Sequence, residues 1–180
     1  MIRLWSSPAA PVAREGRCVV AVNSVEAELR EVVAAATPRL LALSESEAAK
    51  VPSPGKWSPK QVIGHLIDSA SNNHQRFVRA QFTDDLVFLG YQQEAWVMAQ
   101  QYQTASWPEL VAFWRLFNLH LARVIEAAPI SVRQQPRARH NLHELAWQPV
   151  PQGEATTLEY FIRDYVGHLR HHLAQVLGSV

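Results

Sequence analysis

Cys18 is the only cysteine, which excludes an internal disulfide, fits a reducing compartment and places the protein in the cytoplasm. Basic residues form no cluster, and 17 Lys and Arg stand against 16 acidic residues, so nothing here supplies the electrostatic footprint of a nucleic-acid partner. Long apolar runs are missing as well. The longest early one, Cys18 to Val22, is far too short for a membrane span or a signal-peptide core, so no membrane association is expected. Strand-length alternation and internal repeats are absent throughout, which leaves an all-α fold. Two metal motifs are also lacking. His168 is followed by Leu169 and not by the glutamate of HExxH metalloproteases, and no Glu-x-x-His pair of a di-iron or di-manganese bundle occurs.

What is present reads as four principal helices. With 180 residues the chain is long enough for one domain with a real core. Residues 1–22 read as a poorly ordered arm, because Pro8, Pro11 and Gly16 interrupt small residues without periodicity, and residues 23–180 form the domain. The first helix opens at Asn23-x-x-Glu26, turns Val25, Leu29, Val32, Val33 and Ala36 inward, and should kink or restart at Pro38 before Leu40, Leu41 and Leu43. Residues 51–55 are a loop. The second helix has the clearest start: Ser58 caps it, Pro59 takes the first turn and Gln61 completes Ser-x-x-Gln. His65 lies two turns in, with Ser69, Asn72 and Arg76 on nearly the same side. Residues 83–105 are a long connection with a short helix over 92–103 carrying Trp96 and Tyr102. Ser106-x-x-Glu109 reads as a capping box for the third helix, with Leu110, Phe113, Trp114, Phe117, Leu121, Val124 and Ile125 inward and His120 structural or exposed. Residues 129–153 form a second long loop with His140, His143 and Trp147. Thr156-x-x-Glu159 caps the last helix and Gly178 ends it.

That last helix carries the candidate chemistry. Residues four apart share a helical face, so His168 and His172 project together at a spacing that lets two imidazoles grip one ion. Ile162, Val166, Leu169, Leu173 and Val176 form the burying stripe beside them. The same spacing arises without a metal, and a lone His65 suits a hydrogen-bonded core, so the residues alone leave both readings open. The levels add a test. His65 lies about 10 Å past its cap and His172 about 9 Å before its helix end, so the rings share a level only if the second and fourth helices run antiparallel. That requires an up-down-down-up bundle with one crossover, which the long connection can supply.

The run Trp57-Ser58-Pro59-Lys60-Gln61-Val62-Ile63-Gly64-His65-Leu66-Ile67-Asp68-Ser69 resembles the second-helix motif of the DinB/YfiT-like family. So does the ending His168-x-x-His171-His172-x-x-Gln175, and Gly90-Tyr91-Gln92-Gln93-Glu94-Ala95-Trp96-Val97 is similar to the YfiT branch. The resemblance spans residues 25–177. It implies an up-down-down-up four-helix bundle, a divalent metal ion (zinc, nickel or similar) on His65, His168 and His172, and a homodimer. It further implies a metal-dependent enzyme that activates water, as a hydrolase, or a low-molecular-weight thiol for transfer to a small-molecule electrophile. The alternative is a non-catalytic metal-binding or stress-associated bundle.

Other residues carry two readings each. His171 is a proton carrier or a packing residue, and Arg76 orients an anionic substrate or is a surface charge. Trp57, Tyr91 and Trp96 line a pocket or belong to the core. Asp68 and Asp164 accept the second N–H of ligand imidazoles or are solvated helix charges. Gln175 bonds within the bundle or points into the pocket.

Overall fold

The computed structural model describes residues 24–178, so the arm of residues 1–22 and Asn23 lie outside the described residues. Four long helices form the bundle: α1 (Val25–Leu41), α3 (Pro59–Arg79), α5 (Trp107–Ala127) and α8 (Leu158–Leu177). Four short ones decorate it: α2 (Glu45–Ala49), α4 (Gln93–Ala99), α6 (Ile130–Gln134) and α7 (Leu142–Leu145), with a 3₁₀ turn at Tyr102–Thr104. Among the described residues β-structure is limited to the isolated bridges Leu86–His140 and Arg137–Thr156, which tie the two long connections together.

Side-chain contacts fix the helix directions. The α3 start meets the α8 end, where His65 and His172 rings lie 4.8 Å apart, while Phe77 near the α3 end meets Phe161 and Tyr165 near the α8 start. These two helices therefore run antiparallel. Arg30 bonds Glu126 and Trp107 Nε1 donates to Leu40 O, so α1 and α5 are antiparallel too. Glu28 pairs with Arg163 and Arg170, and Arg39 reaches Leu177 O, so α1 and α8 run together. Lys60 reaches Ala105 O and His74 packs on Phe117 and His120, which makes α3 and α5 parallel. The order is up-down-down-up, and residues 80–106 make the crossover.

The local signals worked best where they were self-contained. Ser58 and Gln61 form the expected reciprocal box at the α3 start. Elsewhere tertiary contacts changed the outcome. Ser106 makes no side-chain cap, and Trp107 N instead donates to Glu45 Oε2 from α2, a helix opened by its own Ser44–Glu47 capping box. The last helix is capped one residue later than expected, by Thr157, which accepts from Tyr160 N at 3.1 Å. The first helix has Ser24 at its N-cap position and runs on through Pro38 to Leu41. A proline this near the end frees the carbonyl of exposed Ala34, which water can satisfy, and the helix stops three residues later. The helix expected over 92–103 breaks at Gln101, whose φ of 52° is left-handed. Phe113 and Leu41 face solvent rather than the core. The apolar stripe of α5 is wider than the face its neighbours cover.

The core is continuous along the bundle and includes Trp107, Trp114, Phe77, Phe161 and Tyr165. Two of its polar side chains are bonded in place: Tyr165 OH donates to Asn118 Oδ1 at 2.5 Å, and Asn118 Nδ2 donates to Trp114 O at 2.8 Å, whereas the Trp114 indole Nε1 is buried without a partner. The Tyr102 ring approaches the α3 backbone closely at Gly64. A Cβ on Gly64 would fall 2.1 Å from that ring, so this close approach, one residue before His65, requires glycine.

Candidate metal centre

His65, at the second turn of α3, is wholly buried, and His168 and His172 on α8 are partly buried beside it. One ring nitrogen from each lies within 4.8 Å of the others, and His65 Nε2 and His168 Nε2 stand 3.3 Å apart. Two nitrogens bound to one tetrahedral ion at ordinary zinc–imidazole lengths are separated by ~3.3 Å, so the pair is already at ligating distance. The convergence follows from antiparallel packing of α3 on α8. Burial and the neighbouring imidazoles hold all three rings neutral: His65 is pushed down to about 4 and His168 to about 3, in each case by burial first, and His172 is lowered for the same leading reason. Neutral nitrogens with converging lone pairs are the donors a divalent ion takes.

The partners behind the rings differ from those expected. Gln175 Oε1 lies 3.1 Å from His172 Nδ1, and its Nε2 lies 3.1 Å from His171 Nε2. An Nδ1–H on His172 donating to that carbonyl oxygen leaves Nε2 unprotonated and facing the cluster, the service a ligand imidazole needs. Asp68 does not perform it. This carboxylate is buried, neither solvated nor on His65, and Oδ1 accepts from Tyr102 OH at 2.7 Å and Gln100 Nε2 at 2.6 Å, which fastens the turn after α4 to α3. Asp164 is likewise engaged elsewhere, accepting from the backbone N–H groups of Trp147 and Gln148 at 2.9 and 2.7 Å. His65 Nδ1 is buried without a hydrogen-bond partner, and the Trp57 ring packs 5.2 Å from the imidazole.

Two clefts meet at His172. One, of about 270 Å³, is bordered by His168, His171, Arg76, Tyr91, Trp147 and Asp164 among others. The other, of about 820 Å³, lies between Trp57, Lys50, Lys56, Gln175 and His172. Tyr91 and Trp57 therefore line clefts, whereas Trp96 packs against Tyr91 with ring centroids 4.9 Å apart and tilted by 54°, and borders neither. Burial and nearby Asp68 push the Tyr91 phenol up, so it stays protonated. His171 is exposed, packs against Trp147 at 5.5 Å and stays outside the three-nitrogen cluster. His120 is exposed beside His74, and His140 is spent on Glu154 O at 2.7 Å.

The depressed imidazoles give a pH dependence for the metal-free protein. An unfolded chain binds these protons near pH 6.5, while the folded site refuses them until about pH 4 at His65. The folded state therefore loses stability as pH falls through that window, on the order of 3 kcal/mol from His65 alone. Urea unfolding of chelator-treated protein at pH 7 and pH 4.5 is expected to show that fall, and a smaller one in His65→Gln. Equal pH dependence in both proteins would count against neutral burial of this ring.

An antiparallel pair of bundle helices with three neutral imidazoles at one level, open to two clefts, defines a helical-bundle protein with a candidate mononuclear metal site. The chain belongs to the DinB superfamily, whose sequence profile matches residues 28–176. A candidate metal-dependent hydrolase of Halalkalibacterium halodurans is 26% identical over 136 residues, covering 76% of this chain and 72% of the relative. YfiT from Bacillus subtilis, a probable metal-dependent hydrolase with an unusual four-helix bundle topology, superposes with a TM-score of 0.69 at 20% identity, over 91% of this chain and 89% of its own. The mycothiol-dependent maleylpyruvate isomerase aligns with a TM-score of 0.61 at 11% identity, covering 86% of this chain and 60% of that one. At these identities the two structures speak for the fold.

Proposed function

We propose that this protein is a metal-dependent enzyme in which His65, His168 and His172 hold one divalent ion, zinc, nickel or similar, and that it transfers a low-molecular-weight thiol to a small electrophile. The observation that carries the reading is the convergence of three neutral ring nitrogens within 4.8 Å beside two clefts. With three uncharged ligands an ion keeps its full positive charge and an open position, and it lowers the pKa of a thiol or water that reaches it. The chain does the rest. Gln175 sets the tautomer and angle of His172. Trp57 and the α3–α8 core shield His65 from water. His171, exposed at the mouth, would carry the released thiol proton to solvent while the new carbon–sulfur bond forms and the electrophile's leaving group departs with the electron pair of the bond it breaks.

Two clefts sharing His172 suit two reactants, which favours thiol transfer over hydrolysis. The hydrolytic reading is favoured by the Halalkalibacterium and Bacillus relatives, both regarded as metal-dependent hydrolases. The mycothiol dependence of the isomerase relative speaks for a thiol. Incubating metal-loaded protein with a panel of biological thiols and 1-chloro-2,4-dinitrobenzene, beside p-nitrophenyl esters without thiol, separates these. Thioether formation that is lost on chelation and regained on metal return is the expected result. Ester turnover that ignores thiol would make the protein a hydrolase, and no turnover of either would leave a metal-binding module.

A further inference from the structure

The smaller cleft contains a charge without a counter-charge. Arg76 keeps only 7% of its surface exposed, yet no carboxylate pairs with it among the described residues. Its Nη2 donates to Leu89 O at 2.8 Å, its guanidinium lies 5.9 Å over the Phe161 ring, and its Nε is buried with no partner. Buried guanidinium groups are ordinarily matched by an anion, because desolvation without one is costly. The acids bordering the cleft do not supply it: Asp164 is taken by two backbone amides, and Glu144 lies against His143. One turn before Arg76, Asn73 is also buried, and its Oδ1 has no donor. Two unsatisfied polar groups of opposite kind thus border one cleft on α3.

We infer that Arg76 is a recognition site for the carboxylate of an elongated organic acid, bound along the cleft that leads to the three histidines. Asn73 Oδ1 accepts from a hydroxyl or N–H of the same molecule. The spacing sets the length. Eleven residues separate His65 from Arg76, with nearly the same rotation, and the Arg76 guanidinium lies over Phe161, seven residues before His168 on α8. The carboxylate therefore sits about 10 Å along the cleft from the imidazoles, and the reacting atom of the acid belongs at its other end. Phe161 and Trp147 offer apolar wall between. The link from this anion to chemistry rests on the proposed function, but binding at Arg76 does not.

The probes are 4-phenylbutyrate and its uncharged amide, titrated calorimetrically into metal-loaded and chelator-treated protein. The acid is expected to bind at least tenfold more tightly than the amide in both forms. R76Q is expected to bring the two to parity while metal content stays unchanged. R76K keeps the charge but not the forked geometry, so it retains part of the preference and carries the test should R76Q not fold. Equal affinities in the wild-type protein, including no binding of either probe at millimolar concentration, would overturn the assignment. So would a preference that vanishes on chelation yet survives R76Q, since the ion would then hold the carboxylate. A preference intact in the stripped protein sustains the Arg76 site even if the metal reading fails.

Discussion

His168→Ala is expected to lower divalent-metal affinity by more than 100-fold while the bundle stays folded. His168 sits at the centre of the cluster, with Nε2 3.3 Å from His65 Nε2 and its ring centroid 4.5 Å from that of His172. Substitutions of groups that merely orient a ligand cost about 10–100-fold in metal affinity, so loss of a direct ligand costs more. Helix α8 does not depend on this imidazole, because its buried face is built from Phe161, Ile162, Tyr165, Val166, Leu169 and Leu173, and alanine is a better helix former than histidine. Chelator competition with the wild type, H168A and H171A measures the effect. The expected order is a large loss for H168A and little for H171A, whose ring lies outside the cluster. Equal losses would mean that the histidine-rich end binds metal diffusely, without a defined site.

The second large effect concerns stability. Arg133 on α6 is 4% exposed and joins three elements: Nε reaches Glu159 on α8 at 2.8 Å, Nη1 reaches Glu26 on α1 at 3.3 Å, and Nη1 also reaches Ile125 O at the α5 end at 3.2 Å. Removing the guanidinium leaves the largely buried Glu26 without its cation and Glu159 with Arg163 alone. Breaking such a buried pair from one side costs about 3–5 kcal/mol. Arg133→Met is therefore expected to destabilise by that amount and to lower Tm by roughly 10 °C at this chain length. The exposed Arg30–Glu126 pair provides the comparison, since Arg30→Met is expected to cost under about 1 kcal/mol. Urea unfolding of both variants checks the contrast, and similar small losses would show that the Arg133 network contributes no more than a surface pair.

These two residues also show what could be read from the sequence. The histidine pair of α8 was visible as a four-residue spacing, and the level of His65 was set by its distance from a local cap. Both depend only on helical rise and rotation, so the bundle order followed from them. Arg133 was not singled out, because its partners lie 26 and 107 residues away and α6 is five residues long. Helices this short are held by tertiary contacts more than by propensity. Asn141, before α7, does the same service by bonding Phe88 N and O across the two long connections. Around the site, the clustering of the three histidines was legible and the partners of the surrounding polar groups were not. Asp68 and Asp164 have the right chain positions, but Tyr102, Gln100 and the 147–148 backbone claim them from distant segments. Gln175 reaches His172 through a side-chain rotamer, which no residue spacing fixes.

The central claim is that imidazoles from α3 and α8 share one ion. Protein prepared without a polyhistidine tag, loaded with zinc and dialysed, can be assayed by elemental analysis and by X-ray absorption at the zinc edge. One zinc per chain, with three nitrogen ligands at about 2.0 Å and one exchangeable light ligand, is the predicted result. Metal far below one equivalent, or a spectrum that does not change when His65 is replaced by glutamine, would contradict the account.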